Sequence, residues 1–146
     1  MSARIEDLDL RVQGPVRKYV RRCKEEGIPV VVLETRRAIA VQIAYWLRSR
    51  APVETVRAVF ARLGLWAITD AEAATLSTKT LYSKHVDGLA ADIAPAKPDG
   101  SADWDAPLKL WMVMWGIAED ECGLSAYGND AATQWDKPHV EIMEAT

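Results

Sequence analysis

The stretch Ser83–Ile93, "SKHVDGLAADI", holds one of only two histidines in the 146-residue chain. His85 stands seven residues before Asp92, and Gly88 between them allows the backbone to turn back. Residues 89–95, "LAADIAP", predict a strand that has only small neighbours beside the carboxylate. An imidazole and a carboxylate at a turn that enters a strand are candidate ligands for a metal ion.

The other histidine, His139, lies between acidic residues in the segment 135–141, "WDKPHVE", which predicts a closing strand. Zinc binds imidazole nitrogen and carboxylate oxygen, and catalytic zinc usually has three protein ligands and one water. We therefore expect His85, Asp92 and His139 to hold one Zn²⁺ ion. The alternative is that both histidines are simply packed or surface residues.

Charge and hydropathy argue against several classes of function. The chain has 18 Lys and Arg against 21 Asp and Glu, and this net charge of -3 gives no bulk attraction to nucleic acid or anionic lipid. The basic residues within 17–22 fit a solvated helix face better than a DNA contact. The longest apolar run, 27–34, is too short to cross a bilayer. Because "MSARIEDLDL" has no signal-peptide pattern, we expect synthesis in the cytoplasm and no membrane insertion.

The order of predicted elements indicates an α+β fold with a small, mostly antiparallel sheet flanked by helices. From the length we expect residues 1–146 to form a single domain. Helices are predicted at 15–26, 35–50, 52–63 and 107–122, and strands at 28–34, 89–95 and 138–143. Thr69–Glu72, "TDAE", has the pattern of a capping box that begins a short helical turn. Cys23 and Cys122 lie on apolar helix faces and are expected to be buried free thiols.

Three helices carry specific predictions about their ends and faces. Pro15 suits the first position of the first helix, and Gly27 suits its end. In the second helix, four side chains are expected to face inward: Ile39, Ile43, Trp46 and Leu47. In the last helix, a stripe is expected in the core rather than in a ligand pocket: Trp111, Met114, Trp115, Ala118 and Cys122.

The two histidine stretches also match paired motifs of a known family. "SKHVDGLAADI" matches SxHxxGxAxD, and 136–141, "DKPHVE", matches DxPHxE. In this order the motifs resemble the zinc peptidases of the DD-carboxypeptidase and hedgehog-like fold, a group that includes VanY-like enzymes. Within it, the chain most resembles phage endolysins that act as L-alanyl-D-glutamate peptidases. The segment 36–50 is similar to the family's R-[ST]-xxx-Q segment, with Arg37 and Gln42 in step.

The resemblance implies a role for each matching residue. The ligands of Zn²⁺ are then His85, Asp92 and His139. Asp136 corresponds to the carboxylate that takes a proton from the attacking water and returns it to the leaving amine. Arg37 corresponds to the arginine that faces the substrate carbonyl or a substrate carboxylate. Ser83 and Gln42 would contact the substrate or support the site, and Glu141 would orient the last histidine.

Two of these assignments keep an alternative. Strand alternation puts Glu141 on the face of the last histidine, so geometry alone favours Glu141 slightly as the base. The resemblance favours Asp136, which we follow. The family has Ser or Thr after its arginine where this chain has Ala38, so Arg36 replaces Arg37 if the register shifts by one residue.

The leading hypothesis is a monomeric zinc peptidase that hydrolyses peptidoglycan stem peptides, at the bond between L-Ala and D-Glu. Made in the cytoplasm, a phage lysis enzyme of this kind would act on the bacterial cell wall after release. One alternative is a D-Ala-D-Ala carboxypeptidase or dipeptidase, which must grip a free C-terminal carboxylate. The other is a non-catalytic, zinc-stabilised binding module, and the presence of Asp136 favours an enzyme.

Overall fold

The computed structural model describes residues 2–144. The α-helices lie at Leu10–Glu25 (α1), Ile39–Leu47 (α2), Val53–Arg62 (α3), Asp70–Ala73 (α4) and Leu108–Glu121 (α5). The strands lie at Val30–Glu34 (β1), Ala90–Pro95 (β2), Leu124–Ala126 (β3) and His139–Ile142 (β4). Within this range, none of the helices is both long and apolar enough to cross a membrane.

The four strands form one antiparallel sheet in the order β1-β2-β4-β3. Its pairing places Asp92 of β2 opposite Glu34 on one side and opposite His139 on the other. Because directly opposed residues share a face of the sheet, these three polar side chains lie together. The predicted α+β fold with a small antiparallel sheet is thus confirmed, although the three-residue strand β3 was not predicted.

The main hydrophobic core lies between the other face of the sheet and the helices α1 and α5. Ile93 of β2 and Val140 of β4 point into it, next in sequence to two of the polar residues on the opposite face. The predicted stripe of α5 lies in this core, with Trp111, Met114, Trp115, Ala118 and Cys122 all buried. Both cysteines are free and buried, as predicted. A rigid core on one face therefore supports the polar cluster on the other.

The helix α1 begins earlier than the sequence predicted. Asp9 caps it by accepting a hydrogen bond from the backbone N–H of Arg11 at 2.9 Å, so Pro15 lies inside the helix rather than at its start. The capped turn buries Val12, which extends the apolar stripe backwards by one turn. The predicted end is correct, since Gly27 follows with φ of +80°.

The prediction for the buried face of α2 is wrong for Ile39 and Ile43, whereas Leu47 packs against an apolar cluster as expected and Trp46 is half-buried. Ile39 and Ile43 are 64% and 43% exposed, whereas Gln42 and Tyr45 are buried. The helix is oriented by polar contacts: the Gln42 side chain bonds both Arg37 and the carbonyl of Thr80. A hydrophobic pattern cannot anticipate a glutamine that faces inward.

A second, smaller hydrophobic cluster lies among α2, α3 and α4, around the buried Val56 and Phe60 of α3. The capping box of α4 is present as predicted. Thr69 accepts a hydrogen bond from the backbone N–H of Glu72, and the Glu72 carboxylate accepts one from the N–H of Thr69, both at 3.1 Å. The structure therefore has two apolar clusters, one on each side of the polar face of the sheet.

Candidate metal centre

Two strands and one turn bring the three predicted ligands together on the polar face of the sheet. Oδ1 of Asp92 lies 3.2 Å from Nε2 of His85 and 3.5 Å from Nδ1 of His139. All three candidate ligand atoms lie within 4.8 Å of one another. Ligands at about 2.0–2.1 Å from a tetrahedral zinc ion are roughly 3.4 Å apart. The spacing and the donor set of two imidazoles and one carboxylate therefore fit one zinc ion.

The His85 ring is oriented by the backbone of Thr35, the residue that follows β1. Its Nδ1–H donates to the carbonyl of Thr35 at 2.8 Å, which leaves the lone pair of Nε2 directed toward Asp92. The His85 backbone is held as well: its N–H donates to Oγ of Ser83 at 3.2 Å, and its carbonyl accepts from the N–H of Arg37 at 2.9 Å. Ser83 thus supports the turn that presents the histidine.

Gly88 allows the turn after His85 to approach the start of α1. Its φ is +72°, and its carbonyl accepts a hydrogen bond from the N–H of Asp9 at 3.0 Å. A Cβ at this position would lie 3.0 Å from the same nitrogen, so a side chain would press on the backbone. The glycine that the sequence indicated as the turning point is required on both counts.

The His139 ring is oriented by Glu141. Its Nε2–H donates to Oε1 of Glu141 at 2.9 Å, so that Nδ1 faces the other two ligands. The second oxygen of Glu141 lies 2.7 Å from Nζ of Lys84. Burial would raise the pKa of Glu141, but hydrogen bonds from His139, Lys84 and Tyr127 lower it to about 2. Glu141 is therefore an ionised carboxylate whose two oxygens are both engaged.

Asp136 lies beside the ligands without being one of the three. Its Oδ2 is 3.8 Å from Nδ1 of His139. Burial and the charge of Asp92 together raise the pKa of Asp136 to about 6. A carboxyl group with a pKa near neutrality can both accept and return a proton, which is what a general base and acid requires.

Arg37 lies in the site as a compensated cation. It is 8% exposed and binds the carboxylate of Glu34 through two nitrogens, with Nη2 to Oε2 at 2.9 Å. Nη1 donates to the side-chain carbonyl of Gln42. Burial would lower the pKa of Arg37, but the bonds to Glu34 raise it, so the guanidinium stays charged. Arg36, the alternative, is exposed.

Glu34 is the member of this group that the sequence did not indicate. Its position at the end of β1 looks like an ordinary strand terminus. Only the register, with an irregularity between Val32 and Glu34, shows that it faces Asp92. In the sequence, Glu34 could have been linked to Arg37 only by its position three residues earlier. Acidic and basic residues at that spacing are too common to predict a contact.

The site lies in a cleft of about 810 Å³ between the sheet and the α2–α4 cluster. Asp92, His139 and Asp136 line it, and four large aromatic side chains surround them, each between 42% and 60% exposed: Trp66, Tyr82, Trp104 and Trp135. Exposed aromatic groups around a polar centre are typical of a binding cleft rather than of a structural metal site.

Comparison with known proteins gives matches at the level of structure alone. No protein-family model matches the chain, and no curated protein matches its sequence. Three similar solved structures are an L-Ala D-Glu endopeptidase, ChiX, from Serratia marcescens, a vancomycin-resistance VanY from a VanB-type resistance cassette, and VanYB. One VanY structure is a D,D-pentapeptidase mutant in complex with Zn(II), and the other, VanYB, is in complex with D-alanine-D-alanine.

The similarity extends over nearly all of this chain. ChiX is 22% identical, with a TM-score of 0.57, over 94% of this chain and 82% of its own. The zinc-bound VanY is 15% identical, with a TM-score of 0.54, over 94% of this chain and 73% of its own. The VanYB complex gives the same identity and TM-score and covers 72% of its own chain. The chain therefore has the VanY-like fold that the motifs indicated.

Proposed function

We propose that this chain is a zinc peptidase that hydrolyses the stem peptides of peptidoglycan, at the bond between L-Ala and D-Glu. One observation carries the proposal: three ligand atoms lie at zinc spacing in an open cleft, with the carboxylate of Asp136 3.8 Å from one of them. A structural zinc site has four protein ligands and needs neither a cleft nor an adjacent base.

Each residue contributes a definite part of the chemistry. Zn²⁺ held by His85, Asp92 and His139 would polarise the scissile carbonyl. It would also lower the pKa of a bound water, so that the water could lose a proton and attack the carbonyl near neutral pH. Asp136 takes the proton from that water and passes it to the leaving amine. Arg37, held rigidly by its pair with Glu34, lines the cleft and would face the carbonyl oxygen on which negative charge develops.

The contacts favour Asp136 over Glu141 as the base. Glu141 already accepts from His139 through one oxygen and from Lys84 through the other, so a proton on either oxygen would displace one of these donors. The pKa of Asp136 is raised whereas that of Glu141 is lowered, so Asp136 takes up a proton more readily than Glu141 does. Glu141 is then the residue that fixes the orientation of a ligand.

The choice of bond rests on the motif resemblance to L-alanyl-D-glutamate peptidases, in keeping with the similarity to ChiX. A carboxypeptidase must bind the free C-terminal carboxylate of its substrate, which calls for a cation in the cleft. Glu34 already occupies Arg37 in a bidentate pair, so a substrate carboxylate would have to compete with Glu34 there. Arg48 and Lys79 also line the cleft, so the digestion products decide between the two bonds.

Digestion of defined wall fragments tests the proposal. Purified protein loaded with zinc is incubated with peptidoglycan, and mass spectrometry identifies the new termini, with His139→Ala as the control that lacks a ligand. We expect new N-terminal D-Glu, which disappears on chelation and returns with added Zn²⁺. Release of D-Ala would instead identify a carboxypeptidase. If the zinc-loaded protein cleaves no fragment, the chain is a binding module.

The biological setting is part of the same proposal. A chain of this kind would serve as a lysis enzyme, made in the cytoplasm and acting as a monomer on the cell wall once released. The support is the motif resemblance to phage endolysins together with the L-Ala D-Glu endopeptidase and the D,D-pentapeptidase that share the fold.

A further inference from the structure

We infer that Lys84 is a positioning residue for the metal centre, acting on His139 through Glu141. The inference rests on the proposed function, because it concerns the affinity of the site for zinc. Lys84 occupies a variable place in the matched motif, between Ser83 and His85, and nothing in the sequence marks it. Its role follows from where its side chain reaches in the fold.

The contacts form a continuous chain from Lys84 to the imidazole ring of a ligand residue. Nζ of Lys84 lies 2.7 Å from Oε2 of Glu141, and Oε1 of the same carboxylate accepts from Nε2 of His139 at 2.9 Å. That second bond determines which nitrogen of His139 faces Asp92. Lys84 also lies 2.8 Å from Oε1 of Glu144, near the end of the described chain.

The geometry explains why Glu141 needs a partner. A carboxylate bound through only one oxygen can rotate about its last bond, and the imidazole that bonds it can follow. Lys84 holds the second oxygen, and Tyr127 also donates to this carboxylate, so the two together keep the first oxygen directed at Nε2 of His139. The Tyr127 ring, whose centroid is 4.1 Å from that of His139, restricts the ring from one side but does not set its rotation.

An ordinary surface ion pair would have little effect, but this pair is not at the surface. The side chain of Glu141 is 8% exposed and that of Lys84 is 24% exposed, so water screens the interaction only weakly. The pair also joins two separate segments that carry ligands, the turn of His85 and the strand β4. Loss of Lys84 would therefore loosen the ligands relative to one another.

The test measures zinc affinity, which does not depend on turnover. Zinc is titrated into wild type, Lys84→Met and Lys97→Met in competition with a chromophoric chelator. We expect Lys84→Met to bind zinc about 10-fold more weakly, as is typical when a group that orients a ligand is lost. Lys97 is exposed and does not line the cleft, so Lys97→Met removes the same charge with no change in affinity. Lys84→Arg, which keeps a cation, should recover part of the loss.

A double-mutant cycle shows whether the effect passes through Glu141. In a Glu141→Gln background, Lys84→Met should cause little further loss of zinc affinity. An equal loss in both backgrounds would mean that Lys84 acts by general charge and would overturn the inference. If Lys84→Met does not fold, Lys84→Gln is measured in the same way.

The outcomes separate this inference from the proposal beneath it. Wild-type protein that binds no zinc would overturn both. Wild-type protein that binds zinc and cleaves the wall peptide, alongside a Lys84→Met variant of unchanged affinity, would overturn the inference alone.

Discussion

Asp136 and Glu141 differ in their contacts, so substitution separates their roles. Asp136→Asn removes the proton acceptor but none of the three ligands, and we expect zinc binding to be retained while kcat falls by about 10²- to 10⁴-fold. Glu141→Gln keeps a side-chain oxygen near His139 and should lower zinc affinity more than kcat at saturating zinc. Steady-state kinetics on a defined stem peptide, with the zinc content of each variant, gives both quantities.

The opposite pattern would reverse the assignment of the base. Full activity in Asp136→Asn, together with a zinc-loaded but inactive Glu141→Gln, would make Glu141 the proton acceptor. The close contacts of Glu141 with His139 and Lys84 would then have to open during the reaction.

At the scale of single residues, the sequence indicated those side chains whose position is determined by a motif. The ligand histidines and Asp92 stand at fixed distances from a turn or within a strand, so their pattern carries the geometry. Glu34 faces the site because of the strand register, which places it opposite Asp92. Lys84 reaches Glu141 because its side chain is long. Neither property can be read from spacing along the chain.

The segment between β3 and β4 is held in place by a helix of the core. Nε1 of Trp115, in α5, donates to the carbonyl of Lys137 at 3.0 Å, next to Asp136. Gly128 packs directly on the indole, since a Cβ there would lie 2.1 Å from Cζ2 of Trp115. The core helix thus positions the segment that carries the proposed base.

Gly128→Ala should therefore disturb both stability and activity. The indole must shift to admit the methyl group, which we expect to destabilise the protein by about 1–3 kcal/mol and to lower kcat by moving Asp136. Gly14→Ala is the matched control: its Cβ meets nothing within 4 Å, and alanine within a helix should stabilise by about 0.5–1 kcal/mol. Denaturant unfolding of both variants measures the effects, and equal stability of the two would show that the contact is easily relieved.

At the scale of elements, strong periodicity was a good guide and polar contacts were not. The apolar stripe of α5 and the run of β2 were sufficient to predict both elements, because burial alone decides their orientation. The start of α1 depends on the Asp9 cap, and the face of α2 depends on Gln42. The strand β3 has only three residues and exists because β4 pairs with it.

Residues 2–144 form two apolar clusters of unequal size, with the cleft between them. Among the described residues, the cluster of α1, α5 and the sheet has 18 buried members, and the cluster of α2, α3 and α4 has seven. The three predicted ligands belong to the turn before β2, to β2 and to β4. They are thus carried by the sheet that packs on the larger cluster, on its opposite face. Arg37 lies between β1 and α2, and Gln42 lies in α2, which is a helix of the smaller cluster.

Native-state hydrogen exchange should show that the smaller cluster opens at a lower free energy than the larger one. Less buried apolar area holds α3 than holds α5 or β2, so amides of α3 should exchange through partial opening. Zinc at 100 times its dissociation constant should add about 2.7 kcal/mol to the protection of β2 and α5, because it binds only the state in which its ligands are assembled. The protection of α3 should stay nearly constant, since the ligands remain in place while that cluster opens. Equal gains on zinc binding in α3, α5 and β2 would mean that the two clusters unfold as one unit, and the cleft would then have no separately mobile wall.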